Sequence, residues 1–408
     1  MPYNKNLLII GAGIEACEGI KTAQEMGLKL IIADGNPQAP GLEMADWQII
    51  ASTYDGNAIL EQATALIKQG VAIHGVIAMC ADVPMSVATI TDALGLPGLS
   101  LESAFWVSDK LAMKDRLKAK GVPIPNYADV SDPSLLQVRA EKIGFPLIIK
   151  PVDSRGARGV QLIESHNMLN AAWELAVQES PTARVMLEEY LDGPQFSTET
   201  LIDNGKCHTL GFADRNYEWL SRSKPFIIEN GGDSPTRASD RAKAEVITIV
   251  EGAAKALEIT QGIVKGDMVY TNDGAKVIEV AGRLSGGFFS TTQIPLATGV
   301  NFIEKAIKLA MGDPLTLQEV TPNKARAVAI RYLDLPPGKV RAIHGVEQAS
   351  QSEGVAMFKM FIDVGDVIPP LSNHTQRAGF AIASSSNRQE AINYALLALA
   401  NIEIEYEA

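Results

Sequence analysis

Cysteine is scarce. The 408 residues hold three, at Cys17, Cys80 and Cys207, too scattered for a metal site or a disulfide framework. That argues against a stapled secreted fold and suits a reducing compartment. Histidine is sparse as well, with five residues and no pair at zinc-ligand spacing. No segment is long and apolar enough to cross a bilayer. Positive charge is short too: 36 Lys and Arg stand against 48 Asp and Glu, a net charge of −12, and no basic run exceeds two residues. This argues against nucleic acid or an anionic membrane as the main partner. The opening, MPYNKNLLIIGAG, has too short an apolar run for a signal peptide and reads as a first strand. A cytoplasmic enzyme of two or three domains, acting on small molecules, is expected.

What is present begins with strand, glycine turn, helix and strand over residues 6–37. Gly11-Ala12-Gly13 opens the helix as in a dinucleotide-binding unit, and Asp34 stands where a ribose-binding acid would. Position 16 is alanine where that fingerprint has its third glycine. Strand–helix alternation continues to about residue 94, which predicts an open parallel sheet of about four or five strands. A helix follows over SAFWVSDKLAMKDRLKAKG, with Ser108 or Asp109 as a cap and Lys110 and Lys114 one turn apart. A solvated face is the ordinary account of such a lysine pair.

The stretch GIVKGDMVYTNDGAKVIEVAGRLSGGF carries the densest signal. Two β-prone runs flank Asn272-Asp273-Gly274, and a three-residue loop ending in glycine pairs Thr271 with Ala275. Asp267 then faces Glu279. Opposed side chains lie roughly 4.5–5.5 Å apart at Cβ, where like charges repel unless a cation such as Mg²⁺ joins them. A two-residue loop would instead put the carboxylates on opposite faces. Arg283 and Ser285-Gly286-Gly287 follow, a guanidinium and backbone N–H groups able to meet an anion. Upstream, Lys150 ends an apolar strand before Ser154-Arg155-Gly156-Ala157-Arg158-Gly159, and the chain resumes as strand at Val160. Glycines there let the backbone approach phosphate, with Arg155 or Arg158 adding charge. Glu188 and Glu189 are adjacent in an apolar strand, so one faces inward and needs a ligand or a lysine. Residues 214–240 read as a long loop of the kind that forms lids. The chain beyond about residue 317 shows short strands, a closing helix and no obvious chemistry.

Six stretches in order resemble the ATP-grasp superfamily: the glycine-turn first domain, SDKLAMK, IIKPVDSRGARGV, LEEYLDGPQFSTET, GDMVY and VIEVAGRLSGG. The final part, with FIDVGDVIPP and NHTQRAGFAIAS, is similar to the C-terminal region of biotin carboxylase-like and L-amino acid ligase-like members. The resemblance implies an α/β (α+β) ATP-grasp fold. An N-terminal open parallel sheet domain would span 1–106, an ATP-grasp domain 107–316 with a lid at about 119–187, and a small C-terminal α+β region 317–408. Lys110 and Lys150 would bind ATP phosphates, with Ser154, Arg155, Gly156, Ala157, Gly159 and Val160 closing over them. Glu188, Glu189, Tyr190 and Leu191 would form the adenine hinge. Asp267 and Glu279 would hold Mg²⁺, or Mn²⁺ in its place. Arg283, Gly286 and Gly287 would hold the substrate carboxylate and its acyl phosphate, beside Lys150. Two positions depart from the pattern: Gln195 stands where an acid often meets the ribose, and Ala281 where asparagine often follows the metal glutamate.

The implied activity is an ATP-dependent carboxylate–amine ligase that forms an amide through an acyl phosphate and releases ADP and phosphate. A bicarbonate-activating carboxylase or carbamoyl-phosphate-type enzyme is the first rival, although no biotin-carrier motif or second ATP-grasp half is present. A non-catalytic nucleotide-binding module would not need both lysines, both acids and Arg283. A nicotinamide-dependent oxidoreductase rests on the first glycine turn alone. Small-molecule carboxylates and amines are the expected partners, and a homodimer is common in similar proteins.

Overall fold

The computed structural model describes residues 5–407, so the ends of the expected first and last domains, residues 1–4 and 408, lie outside the description. Four parallel strands open the chain: β1 (Asn6–Ile10), β2 (Lys29–Asp34), β3 (Trp47–Ile50) and β4 (Gly75–Ala78), in the order β3-β2-β1-β4. The apolar runs of β1, β2 and β4 are buried with no alternation, as a parallel sheet covered on both faces requires, while the edge strand β3 leaves Gln48 and Ile50 exposed. One face shares a core with Leu284, Phe289 and the helix Phe302–Ala310, which fixes this sheet against the rest of the molecule.

The expected single helix after residue 99 is two, Leu101–Ser108 and Lys110–Ala119. Asp109 breaks them apart and caps the second, its Oδ1 accepting the Ala112 N–H at 2.8 Å, a contact worth about 1 kcal/mol. A small antiparallel sheet follows, built from β5 (Tyr127–Asp129), β6 (Leu147–Pro151), β7 (Gln161–Ile163) and β8 (Val185–Glu189) in the order β5-β8-β6-β7.

The central sheet has eight strands. It begins with β9 (Gln195–Asp203), β10 (Lys206–Asn216), β11 (Gly231–Ser234), β12 (Gly262–Thr271), β13 (Gly274–Ala281) and β14 (Ala327–Tyr332). Next in the chain come β15 (Gly338–His344), β16 (Val355–Met360), β17 (Val367–Ile368), β18 (Gly379–Ser385) and β19 (Glu403–Tyr406). The order β13-β12-β9-β10-β11-β14-β18-β16 runs unbroken across residue 317, while β17, β15 and β19 form a separate edge. Residues 214–240 are therefore not one long loop. β10 continues to Asn216, a short helix spans Leu220–Ser223, and β11 lies between β10 and β14. A buried Asp233–Arg331 pair at 2.7 Å holds β11 to its neighbour. Among the described residues no helix is long and apolar enough to cross a membrane.

Candidate active site

The β12–β13 hairpin puts Asp267 opposite Glu279, but by another route than turn chemistry alone suggests. Thr271 pairs with Gly274, so the loop has two residues, Asn272 and Asp273, with Gly274 at φ +104°. That register would separate the carboxylates. A β-bulge at Ile278 restores it, because Met268 pairs with Val277 and Asp267 with Glu279. Lys114 secures the bulge by donating to the carbonyls of Ile278 at 2.7 Å and Val277 at 3.2 Å.

Lys114 is fully buried, which overturns its reading as part of a solvated face. It and Lys150 both pair with Glu188, whose carboxylate points inward from β8. Burial drives the Lys114 ammonium down to about 8 against the pull of Glu188. Burial alone would raise the Glu188 carboxyl, and the two ammonium groups override it and hold it below the usual range. Glu189 turns the other way and accepts from Asn126 N–H and Nδ2 at 3.0 and 2.9 Å.

Lys150, Glu188 and Glu189, though not the fully buried Lys114, line one cleft of about 570 Å³. Around it stand Lys110, Lys150, Glu188 to Leu191, Gln195, Asp267, Glu279, Arg283, Gly286 and Gly287, with Ser154 to Arg158 and Val160 along the loop between β6 and β7. Gly159 is the exception. It faces Pro151 and the helix Leu169–Gln178, where a Cβ would come within 2.9 Å of the Pro151 ring. The loop is drawn over the cleft. Arg155 stacks on Tyr54, 4.4 Å from the ring centre, and the Gly156 carbonyl accepts the His374 N–H at 2.9 Å. Lys110 Nζ bonds the Ser154 carbonyl at 2.8 Å and lies 3.4 Å from Glu279.

The repulsion between Asp267 and Glu279 is already offset without a metal. Asp267 is ion-paired to Arg215, at 2.9 Å, and to Lys265. Burial by itself would raise the Asp267 carboxyl, and those two cations carry it far below the ordinary carboxylate range. Among the described residues no group of three or more His, Cys, Asp or Glu could hold an ion unaided. Two opposed carboxylates still fit Mg²⁺, which is bound through one or two carboxylates plus substrate phosphates.

Arg283 does not stand alone before the glycine turn. Its Nε lies 3.4 Å from Asp82 Oδ1 and its Nη1 donates to the Leu284 carbonyl at 3.0 Å. Burial opposes its charge, and Asp82 more than restores it. The turn after it is left-handed at Gly287 and Phe288, at φ +64° and +56°. Phe288 is locked there by stacking on Phe380 at 4.8 Å, so Phe289 rather than Phe288 faces the cleft.

Sequence reasoning missed Asp82, Arg215, Lys265 and the C-terminal contribution. Lys265 carried a signal, sitting two residues before Asp267 on the same strand face. The final region is not without chemistry: Tyr332, His374, Thr375 and Arg377 line the cleft. Arg377 lies 3.6 Å over the Tyr332 ring. Burial, then Arg377, holds His374 well below its ordinary value, and its Nε2 accepts the Glu229 N–H at 3.1 Å. In the first domain Asp34 is spent on its own turn, accepting from Ala12 N–H at 2.7 Å and Asn36 N–H at 2.8 Å.

Residues 107–287 match the ATP-grasp domain family, over the segment that supplies most of the cleft. The chain carries an ATP-grasp domain. Residues 331–407 match a second family, L-amino acid ligase C-terminal domain 2. The chain is 27% identical to the uncharacterized protein y4rH of Sinorhizobium fredii, over 78% of this chain and 65% of that protein. It is 23% identical to an L-arginine-specific L-amino acid ligase of Bacillus subtilis, over 67% of this chain and 66% of the relative. The matches thus span just under two thirds of these two relatives. The crystal structure of an L-amino acid ligase from Bacillus licheniformis shares the ATP-grasp fold, with a TM-score of 0.85 over 100% of both chains at 23% identity.

Proposed function

We propose that this ATP-grasp enzyme is a carboxylate–amine ligase that joins its substrates through an acyl phosphate and releases ADP and phosphate. The observation that carries the reading is the convergence of two lysines, two opposed carboxylates, an arginine and a glycine turn on one cleft. Lys110 and Lys150 neutralise the transferring phosphate, and the Ser154–Val160 loop excludes water from the intermediate. Glu188 to Leu191 receive the adenine, and Gln195 the ribose hydroxyls. Asp267 and Glu279 would hold Mg²⁺, with Mn²⁺ also suited to their oxygens, and the bound ion supplies charge neutralisation at the phosphates. Arg283 and the Gly286-Gly287 amides orient the carboxylate towards the γ-phosphate. No Ser–His or Cys–His pair is required, since position and charge do the catalysis. The likeness to amino acid ligases supports an amino acid as the activated carboxylate.

The expected result is phosphate and ADP release from ATP and Mg²⁺ only when a carboxylate and an amine are both supplied. A grid of amino acids with coupled ADP detection checks it. Formation of AMP and pyrophosphate would overturn the reading.

A further inference from the structure

We propose that Glu15 is the residue that receives the attacking amine and takes its proton. The inference rests on the ligase reading and adds a catalytic residue to it. Eight carboxylates line the cleft. Of the other seven, six are paired with a Lys or Arg, and Glu189 accepts two hydrogen bonds from Asn126. Glu15 alone, among the described residues, has neither. Its carboxylate accepts one long bond, from the Gly287 N–H at 3.3 Å.

Its place gives that free charge a use. Glu15 follows the Gly11-Ala12-Gly13 turn, where the Ala16 N–H bonds the Gly13 carbonyl at 2.9 Å. From there it reaches the second glycine turn, and a Cβ on Gly286 would stand 2.9 Å from Glu15 Oε2. Cys80 ties the two turns together, its Sγ lying 3.8 Å from the Glu15 carbonyl and 3.6 Å from the Ser285 carbonyl. The first domain thus delivers an unpaired carboxylate beside the amides assigned to the acyl group.

An amine of ordinary basicity arrives as an ammonium ion and has no lone pair to attack with. Glu15 attracts that ion, accepts one proton and becomes a carboxylic acid, leaving a neutral amine. The nitrogen lone pair then forms the C–N bond to the acyl carbon. The C–O bond to phosphate breaks, phosphate leaves with the electron pair, and the surplus N–H proton follows it. Glu15 afterwards returns its proton to water. A positioned general base of this kind contributes about 10²–10⁴-fold.

The test compares two nucleophiles on the full-length protein with ATP, Mg²⁺ and the common L-amino acids as carboxylates. One nucleophile is an L-amino acid, and the other is excess hydroxylamine, which is neutral near pH 7 and needs no base. Glu15→Gln is expected to slow amide formation about 100-fold or more, while hydroxamate forms at the wild-type rate. Glu15→Asp, which keeps the carboxylate, should recover part of the loss and guards against a Gln variant that fails to fold. Equal losses with both nucleophiles would overturn the inference and make Glu15 a support for the glycine turn. No loss with either would overturn it too. A wild-type protein that forms neither product would overturn the ligase reading itself, and this inference with it.

Discussion

Arg283→Ala is expected to cut single-turnover product formation about 100-fold or more, the scale of losing one oxyanion donor. ATP affinity, measured by calorimetry, should change little, because the nucleotide contacts assigned above lie on other elements. Asp82 takes the Nε edge of the guanidinium and fixes its plane, with Nε 3.4 Å from Oδ1. Nη1 donates to the Leu284 carbonyl at 3.0 Å and Nη2 lies 3.5 Å from Asp82 Oδ2, so a substrate carboxylate would meet the second N–H of each terminal nitrogen. A lysine keeps the charge but loses the planar fork, so Arg283→Lys should fall nearly as far. Were Arg283 only a strut between the first domain and the hairpin, the variants would melt earlier and turn over normally. Near-normal turnover in Arg283→Ala would remove this arginine from the chemistry.

Glu188→Ala should be the most damaging change to stability. It leaves Lys114, which is 0% exposed, and Lys150, which is 4% exposed, as two buried ammonium groups without their shared partner. Breaking a buried ion pair from one side costs about 3–5 kcal/mol, readable as a lowered urea midpoint. The sign of the pH effect follows from the depressed Glu188 carboxyl. Its contribution is present above the unfolded value of 4.5 and is lost as pH falls below it. The wild type should therefore weaken below about pH 4.5 more steeply than Glu188→Gln. An unchanged midpoint in Glu188→Ala would mean that the lysines find other partners.

Much of the fold was legible because local pattern and global packing agree. The strand–helix alternation from residue 6 to about 94 announced a parallel sheet, and Asn272-Asp273-Gly274 announced the hairpin. The cross-strand pairing of Asp267 with Glu279 was read correctly from an incorrect loop length. Turn residues fix only the end of a hairpin, whereas the bulge at Ile278 depends on Lys114 from a helix far away in the chain. Lys114 itself was misread because spacing shows which residues share a face but not what covers it. β11, with the sequence GGDS, has no strand propensity and is imposed by β10 and β14 on either side. Arg215, His374 and Arg377 reach the cleft only through the continuous central sheet and the folded-over loop, neither of which leaves a local motif.

A carboxylate that attacks the γ-phosphate directly gives up one of its oxygens to the phosphate when the amide forms. The measurement that tests this attack most directly is the fate of carboxylate oxygen during turnover with ATP and Mg²⁺. With a carboxylate labelled in both oxygens by a heavy isotope, one labelled oxygen should appear in the released phosphate, and ADP should be the nucleotide product. Unlabelled phosphate, or label found in AMP, would contradict the acyl-phosphate route and the assignment of the cleft built on it.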